Sequence, residues 1–291
     1  FIAYTYDKTP LKQNNKLKDS INSEKGYPLI IRDLKTNKED TIPFVTNYTF
    51  AKEGMVLSYS TSGLKDSINP GIYIKNLKTN SSKQIHISHE KTKYFKLNLS
   101  NSGDKLAFVK DADSTKTYQR PYELYLWDSS QKNSKLILDT DSSPDGYKVS
   151  RYGDIKFSKN ESKLYFGLGL PEIVQDTLLL DEEIVNVEVW TYDEPRLYTV
   201  QEKQIENDIK KSFQTVYHIK DDKLIQIATK EFPNALLSNE GNGDYALISN
   251  PEPYQLSSQW TALFSMNDLA VMNINNGNSK IVIKSNPSTA R

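Results

Sequence analysis

The residues most suggestive of chemistry in this chain are an acidic trio, three histidines, three tryptophans and an oxygen-rich loop. Asp181-Glu182-Glu183 places three carboxylates in succession. Charge runs usually stay hydrated, so the residues by themselves read as a solvated acidic loop. His86, His89 and His218 supply too few converging ligands for a zinc centre, and they read as surface or rim histidines. Asp139-Thr-Asp141-Ser-Ser-Pro-Asp145-Gly146 resembles a calcium loop in composition only. An EF-hand needs Gly at its sixth position and Glu at its twelfth, and here Pro144 and Ser150 stand there. A polar connecting loop is the expectation, with no metal and no cofactor. A hydrolase serine needs the strained Gly-x-Ser-x-Gly turn. Gly277-Asn-Ser279-Lys-Ile281 has its first half only, and no catalytic residue is assigned. Trp190, Tyr254 and Trp260 are candidate pocket aromatics, whereas Trp127 sits mid-strand and is expected to pack between layers.

The elements that would position these groups are repeats. Five hairpins read alike, over 29–44, 72–87, 124–138, 216–227 and 269–283, each an apolar strand, a turn rich in Asn, Asp, Lys or Ser, and a second strand. Upstream of four of them lies a second strand–turn–strand element, at 48–59, 95–108, 155–166 and 235–248. Gly54, Gly103 and Gly241 are expected to supply positive φ in those turns. The two elements make four strands per unit of about 40–50 residues, which is the propeller pattern. The fold expected is all-β: a β-propeller or partial propeller of about five four-stranded blades, with one short helical insertion. The units fall at 1–44 (incomplete), 48–88, 95–139, 154–228 with an insertion at 167–212, and 233–285. Within the insertion, Leu197, Val200, Gln201, Ile205, Ile209 and Phe213 keep helical spacing after Pro195. The tract carrying Pro251, Pro253 and Trp260 reads as extended and polar.

Composition narrows the function. With 37 Lys+Arg against 37 Asp+Glu among 291 residues, the chain lacks the basic surplus that nucleic acid or an anionic membrane demands. The absence of Cys excludes disulfides, thiolate nucleophiles and cysteine metal sites. The 18 Tyr and 10 Phe suit half-buried strands. No apolar run reaches the roughly 18 residues of a membrane span, and the first residues do not read as a basic-then-apolar leader, as expected of a piece whose start is cut. The chain starts at Phe1 inside a strand and stops at Arg291, so both ends read as cut from a longer polypeptide.

The unit Leu99-Ser-Asn-Ser-Gly-Asp-Lys-Leu-Ala-Phe108 resembles the repeat of TolB-like propellers. More specific is the order Phe157-Ser-Lys-Asn-Glu-Ser-Lys-Leu-Tyr-Phe-Gly167, Asp181-Glu-Glu183, Val187-Glu-Val-Trp190, then Asp193 to Gln201. Together with Tyr245-Ala-Leu-Ile, Pro253-Tyr254, Trp260 and Asp268-Leu-Ala-Val, it resembles the propeller of bacterial prolyl oligopeptidase family serine peptidases, including dipeptidyl-peptidase-like members. The resemblance implies a non-catalytic, N-terminal propeller domain that gates peptide access to a C-terminal α/β-hydrolase domain outside this chain. It implies that Asp181, Glu182 and Glu183 hold a substrate amino terminus. It also implies a peptide substrate and the hydrolase domain as partners, and a periplasmic or secreted parent. Two other classes remain: a free-standing TolB-like propeller binding a protein or envelope ligand, and a sialidase- or lyase-like enzyme. Against the second, the turns Ser100-Asn-Ser-Gly-Asp104 and Ser158-Lys-Asn-Glu-Ser162 do not match the Ser-x-Asp-x-Gly-x-x-Trp boxes of sialidases.

Overall fold

The computed structural model describes residues 1–5, 25–63, 68–89, 91–111, 119–172, 191–261 and 265–287. The chain divides into two compact units, Phe1–Ser143 and Pro144–Arg291. Each is built from antiparallel sheets in which strands pair with their chain neighbours, apart from the split first strand of the third sheet.

The first unit opens with a six-stranded meander: β1 (Ile2–Thr5), β2 (Tyr27–Arg32), β3 (Glu39–Phe50), β4 (Val56–Thr61), β5 (Gly71–Asn76) and β6 (Ser81–Ile87). β3 serves two layers. Its first half pairs with β2 (Leu29↔Ile42, Arg32↔Glu39) and its second half with β4 (Val45↔Thr61, Phe50↔Leu57). Between them Phe44 takes φ 55° and the register shifts at Val45/Asn47, the signature of a bulge that bends a strand. The bend folds the β1–β2 side over the next layer, so Leu29, Ile31, Ile42 and Val45 pack on Leu57 and Tyr59. The segment 1–44 and the unit 48–88 therefore share one sheet. A four-stranded sheet follows: β7 (Lys93–Leu99), β8 (Lys105–Asp111), β9 (Tyr122–Asp128) and β10 (Lys135–Leu138). Its Leu97, Leu99, Leu106, Phe108 and Trp127 bury against Ala51, Ile72 and Ile85 of the preceding sheet. Each large apolar side chain buried in this way contributes about 1.5–3 kcal/mol. Trp127 lies between layers as expected, with its indole N–H donating to the Gln131 carbonyl at 3.2 Å.

The second unit repeats the scheme. β11 (Lys148–Val149) and β12 (Lys156–Phe157) both pair with β13 (Lys163–Gly169), so the first strand of this blade is broken in two. β14 (Phe213–His218) and β15 (Lys223–Gln226) complete the sheet. The last sheet holds β16 (Asn234–Leu237), β17 (Tyr245–Asn250), β18 (Met266–Asn273) and β19 (Ser279–Pro287). Tyr165, Val216, Ile225 and Ile227 pack against Ala246, Ile248, Ala270 and Met272 between these two sheets. The architecture is all-β and of the propeller type, with antiparallel sheets of six, four, five and four strands among the described residues, in place of five uniform four-stranded blades, stacked face to face within each unit.

One hydrogen bond recurs and fixes the register of the repeat. Leu77 N–H donates to Met55 O (2.9 Å), Ser129 to Asp104 (2.7 Å), Ile219 to Ser162 (3.1 Å) and Ile274 to Asp244 (2.9 Å). The residues two positions past each acceptor are thus equivalent: Leu57, Leu106, Leu164 and Ala246. Four positions past it stand Tyr59, Phe108, Phe166 and Ile248. Gly103 and Gly241 take positive φ, as their turns require. Gly54 does not. It is needed for a close approach instead, since a Cβ there would lie 2.0 Å from the Ser102 carbonyl oxygen.

Among the described residues there are two α-helices, one more than expected. The insertion helix, α1 (Tyr198–Ile209), forms, but Leu197 stands at its N-cap and none of its residues is buried. Leu197, Tyr198, Ile205 and Ile209 are exposed. The tract expected to be extended is helical: a 3₁₀ turn over Glu252–Tyr254 runs into α2 (Gln255–Thr261). Pro251 and Pro253 lack the backbone N–H that a helix leaves unpaired in its first turn anyway, so they start this segment without breaking it.

Candidate functional site at the loop-bearing edge

Strand connectivity sorts the connections into two kinds. In each four-stranded meander the first-to-second turns (51–55, 100–104, 158–162, 238–244) and third-to-fourth turns (77–80, 129–134, 219–222, 274–278) are tight and lie at one edge. They are closed by backbone bonds such as Ser100 N–H to Lys105 O at 2.8 Å and Ser158 N–H to Lys163 O at 2.9 Å. Asx geometry closes others: Asn76, Asp128 and Asn273 each accept, at 2.9 Å, the N–H two residues on. The second-to-third connections (62–70, 112–121, 170–212, 251–265) all leave from the opposite edge and are long. Long connections on a rigid scaffold are where binding groups collect.

Every sequence-predicted site residue maps to two of these connections, both in the second unit. Asp181, Glu182, Glu183 and Trp190 belong to 170–212, and they lie outside the described residues. Trp260 lies in α2, but its side chain is outside the described set. Tyr254 is described. The roots of the two connections lie on sheets packed against each other, β13–β14 and β17–β18. At the root of 170–212 Lys148 pairs with Glu172. There the Tyr147 ring meets Phe213 edge-on at 5.4 Å.

Tyr254 acts as a latch. The Asn250 side-chain oxygen accepts Glu252 N–H at 3.0 Å and turns the chain. The Tyr254 hydroxyl then donates to Asp268 Oδ1 at 2.5 Å. Ser285 N–H donates to that carboxylate oxygen at 3.1 Å and to the Tyr254 oxygen at 3.2 Å, and its own hydroxyl donates to Tyr254 at 3.0 Å. Ser285 takes φ 54° to do so. These bonds, the Tyr254 hydroxyl first and the Ser285 amide next, hold the Asp268 carboxyl below the usual range. With its hydroxyl engaged, Tyr254 offers a ligand only its ring. Its role is to pin the helical insertion to β18 and β19.

A second cluster was missed by the sequence reading. His86, expected at the surface or rim, packs against Tyr94, Phe108 and Tyr125 with ring centroids 5.9, 5.2 and 4.6 Å away. Burial, reinforced by the Lys110 ammonium, pushes its pKa down to about 4. Its Nδ1 shares a hydrogen bond with Ser134 Oγ at 2.8 Å. Nearby, Lys110 bonds Glu123 at 3.0 Å, and the Tyr125 hydroxyl donates to the same carboxylate at 3.0 Å. His218 is also buried, its Nε2 2.8 Å from the Ile274 carbonyl. Both corrections have one cause: their strands carry polar residues on faces that a neighbouring sheet covers. The aromatic spacing Tyr94, Phe108, Tyr125 was the available signal. Among the described residues no group of three or more His, Cys, Asp or Glu side chains could hold a metal. No helix among them is long and apolar enough to cross a membrane.

No family model matches the sequence, and no curated protein matches it. Solved structures do. The β-propeller domain of the Trilobed protease from Pyrococcus furiosus aligns with a TM-score of 0.43 and 13% identity, over 83% of this chain and 58% of that one. The tricorn protease aligns with a TM-score of 0.43 and 11% identity, over 90% of this chain and 25% of that one. The Pyrococcus horikoshii acylaminoacyl peptidase aligns with a TM-score of 0.40 and 15% identity, over 83% and 32%. This chain thus spans little more than half of the first and a third or less of the other two. The solved structures it resembles include propeller domains of prolyl oligopeptidase-family peptidases and a putative TolB.

Proposed function

We propose that this chain is the non-catalytic propeller domain of a prolyl oligopeptidase family serine peptidase, gating peptide access to an α/β-hydrolase domain carried elsewhere in the same polypeptide. The observation that carries the reading is the division of edges. Tight turns occupy one edge of every blade, and long connections leave the other. The candidate site residues Asp181, Glu182, Glu183, Trp190, Tyr254 and Trp260 fall in two of those connections, rooted on packed sheets. In this reading Asp181, Glu182 and Glu183 hold the peptide amino terminus by charge-assisted hydrogen bonds. Trp190, Tyr254 and Trp260 supply apolar contact surface. The parent is exported to the periplasm or beyond.

The test uses the full-length polypeptide. A fluorophosphonate probe is expected to label one serine within a Gly-x-Ser-x-Gly turn. Glu182→Gln and Glu183→Gln are expected to raise KM for peptides with a free amino terminus and leave N-blocked peptides unaffected. Absence of labelling sinks the peptidase reading. Equal effects on free and blocked peptides sink the role of the acidic trio. The exposed apolar side chains of α1 favour a second reading, a free-standing TolB-like propeller that binds a protein or envelope ligand. It predicts no reaction with the probe.

A further inference from the structure

The repeat register exposes a mismatch at the last sheet. Counting from the recurring hydrogen bond, Leu247 is equivalent to Tyr165, and Tyr245 to Lys163. In the preceding blade these positions are covered by the blade that follows. Tyr165 is 2% exposed and its hydroxyl donates to the Gly241 carbonyl at 2.7 Å. Lys163 reaches the Gly243 carbonyl at 2.7 Å and the Asn242 carbonyl at 3.1 Å. Val216, opposite Tyr165, is fully buried. In the last blade the same face is open: Leu247 is 37% exposed, Tyr245 55%, and Leu236, opposite Leu247, 66%. Ile283, opposite Leu269 on that face, is exposed too. Four apolar side chains on one sheet face are costly to leave in water, at about 25 cal/mol per Å².

We propose that the outer face of the β16–β19 sheet is a blade-to-blade interface, covered by a further four-stranded blade of the same polypeptide supplied C-terminal to residue 287. What covers it is argued from the repeat. At this face a blade is covered by its successor, whose second strand points a pair of apolar residues back at it. Those pairs are Leu106 and Phe108 over the β3–β6 layers, and Ala246 and Ile248 over β13–β15. The covering blade presents such a pair and places its first turn over Tyr245, as the turn at 238–244 lies over Lys163. The inference rests on the propeller fold and is independent of the peptidase reading, which a probe-labelling failure would end without touching it.

The experiment is cysteine accessibility in the full-length polypeptide. This chain has no cysteine, so Leu247→Cys and Leu236→Cys introduce reporters into it, and exposed Leu34→Cys is the reference. Alkylation at 247 and 236 is expected to be about tenfold or more slower than at 34, because it needs the blades to part. A companion substitution, Leu247→Asp, is expected to lower Tm by about 5 °C or more, against about 1 °C or less for Leu34→Asp. The proposal is overturned if positions 247 and 34 react at the same rate and Leu247→Asp leaves Tm in place. It is equally overturned if protection vanishes on dilution while the mass falls from dimer to monomer, which would make the cover a second copy. A reading frame that stops less than a blade of about 40 residues beyond Arg291 overturns it as well.

Discussion

Tyr165 joins the two sheets of the second unit, and it allows blade-to-blade energetics to be dissected. Its ring is buried between the sheets and its hydroxyl donates to the Gly241 carbonyl at 2.7 Å. Burial pushes its pKa up to about 12, with Asp244 adding to the effect, so it donates as a neutral phenol throughout the working pH range. Tyr165→Phe keeps the ring and leaves that carbonyl unpaired, costing about 1–2 kcal/mol. Tyr165→Ala removes the ring as well and costs about 3–5 kcal/mol. At this chain size 1 kcal/mol corresponds to about 2–4 °C in Tm. Gly241 supplies an internal control. It takes φ 82°, and a Cβ there would stand 2.9 Å from Tyr165 Cε2. Gly241→Ala therefore carries two penalties in the natural background, about 1 kcal/mol or more for the left-handed backbone and a further one for the ring. In the Tyr165→Ala background only the backbone penalty remains. Urea denaturation of the four proteins, followed by tyrosine and tryptophan near-UV circular dichroism, measures the cycle. A coupling of about 0.5 kcal/mol or more is expected. Equal Gly241→Ala costs in both backgrounds, or a Tyr165→Ala cost no larger than that of Tyr165→Phe, refute the packing described here.

Three further outcomes follow from particular contacts. His86 has a folded pKa near 4 and an unfolded one near 6.5, so the unfolded chain binds more protons between those values. Its contribution is therefore whole above about pH 6.5 and is lost as pH falls towards 4; His86→Phe is expected to flatten the slope of stability between pH 6.5 and 4, and an unchanged slope contradicts the burial of the ring. Tyr254→Phe removes the bonds to Asp268 and Ser285, so amide exchange across 251–261 should quicken while the midpoint of global unfolding moves by no more than about 1 kcal/mol in equivalent stability. Unchanged exchange in that segment removes the latch. Gly54→Ala forces a Cβ onto the Ser102 carbonyl and disturbs the bonds from Glu53 and Gly54 N–H to Asn101 O, at 2.9 and 3.3 Å. A loss of about 1–3 kcal/mol is expected from overpacking, and a neutral result in thermal unfolding argues that these turns do not touch.

The strand content was legible because alternation and turn chemistry are local properties. Leu106-Ala-Phe108 and Leu164-Tyr-Phe166 announce buried strands, and the Asn- and Asp-rich turns between hairpins announce how they reverse. The helical spacing over 197–209 also predicted α1, because side-chain period depends on backbone geometry alone, whereas Phe213, read into the same pattern, begins β14. The 3₁₀ turn and α2 were hidden, since two prolines and few apolar residues mimic an extended tract. The bend in β3 was hidden too: a positive φ at Phe44 is imposed by the sheets on either side. The same holds for the candidate site. The sequence supplied Tyr254 as an aromatic near the right place, but a latch needs Asp268 and Ser285, which come from other strands.

Local residue patterns specify the repeat, the strand-by-strand meander and the absence of a Gly-x-Ser-x-Gly turn in this chain, because each of these depends on residues close together along the chain. Which face of each strand is covered comes from the packing of sheet on sheet, and the fold is needed to see it. That packing put His86 among aromatic rings, buried Tyr165 beneath the next blade and left the equivalent Leu247 in water. The physical reason is that a pleated strand offers two faces of similar composition. The choice between them belongs to the neighbouring sheet.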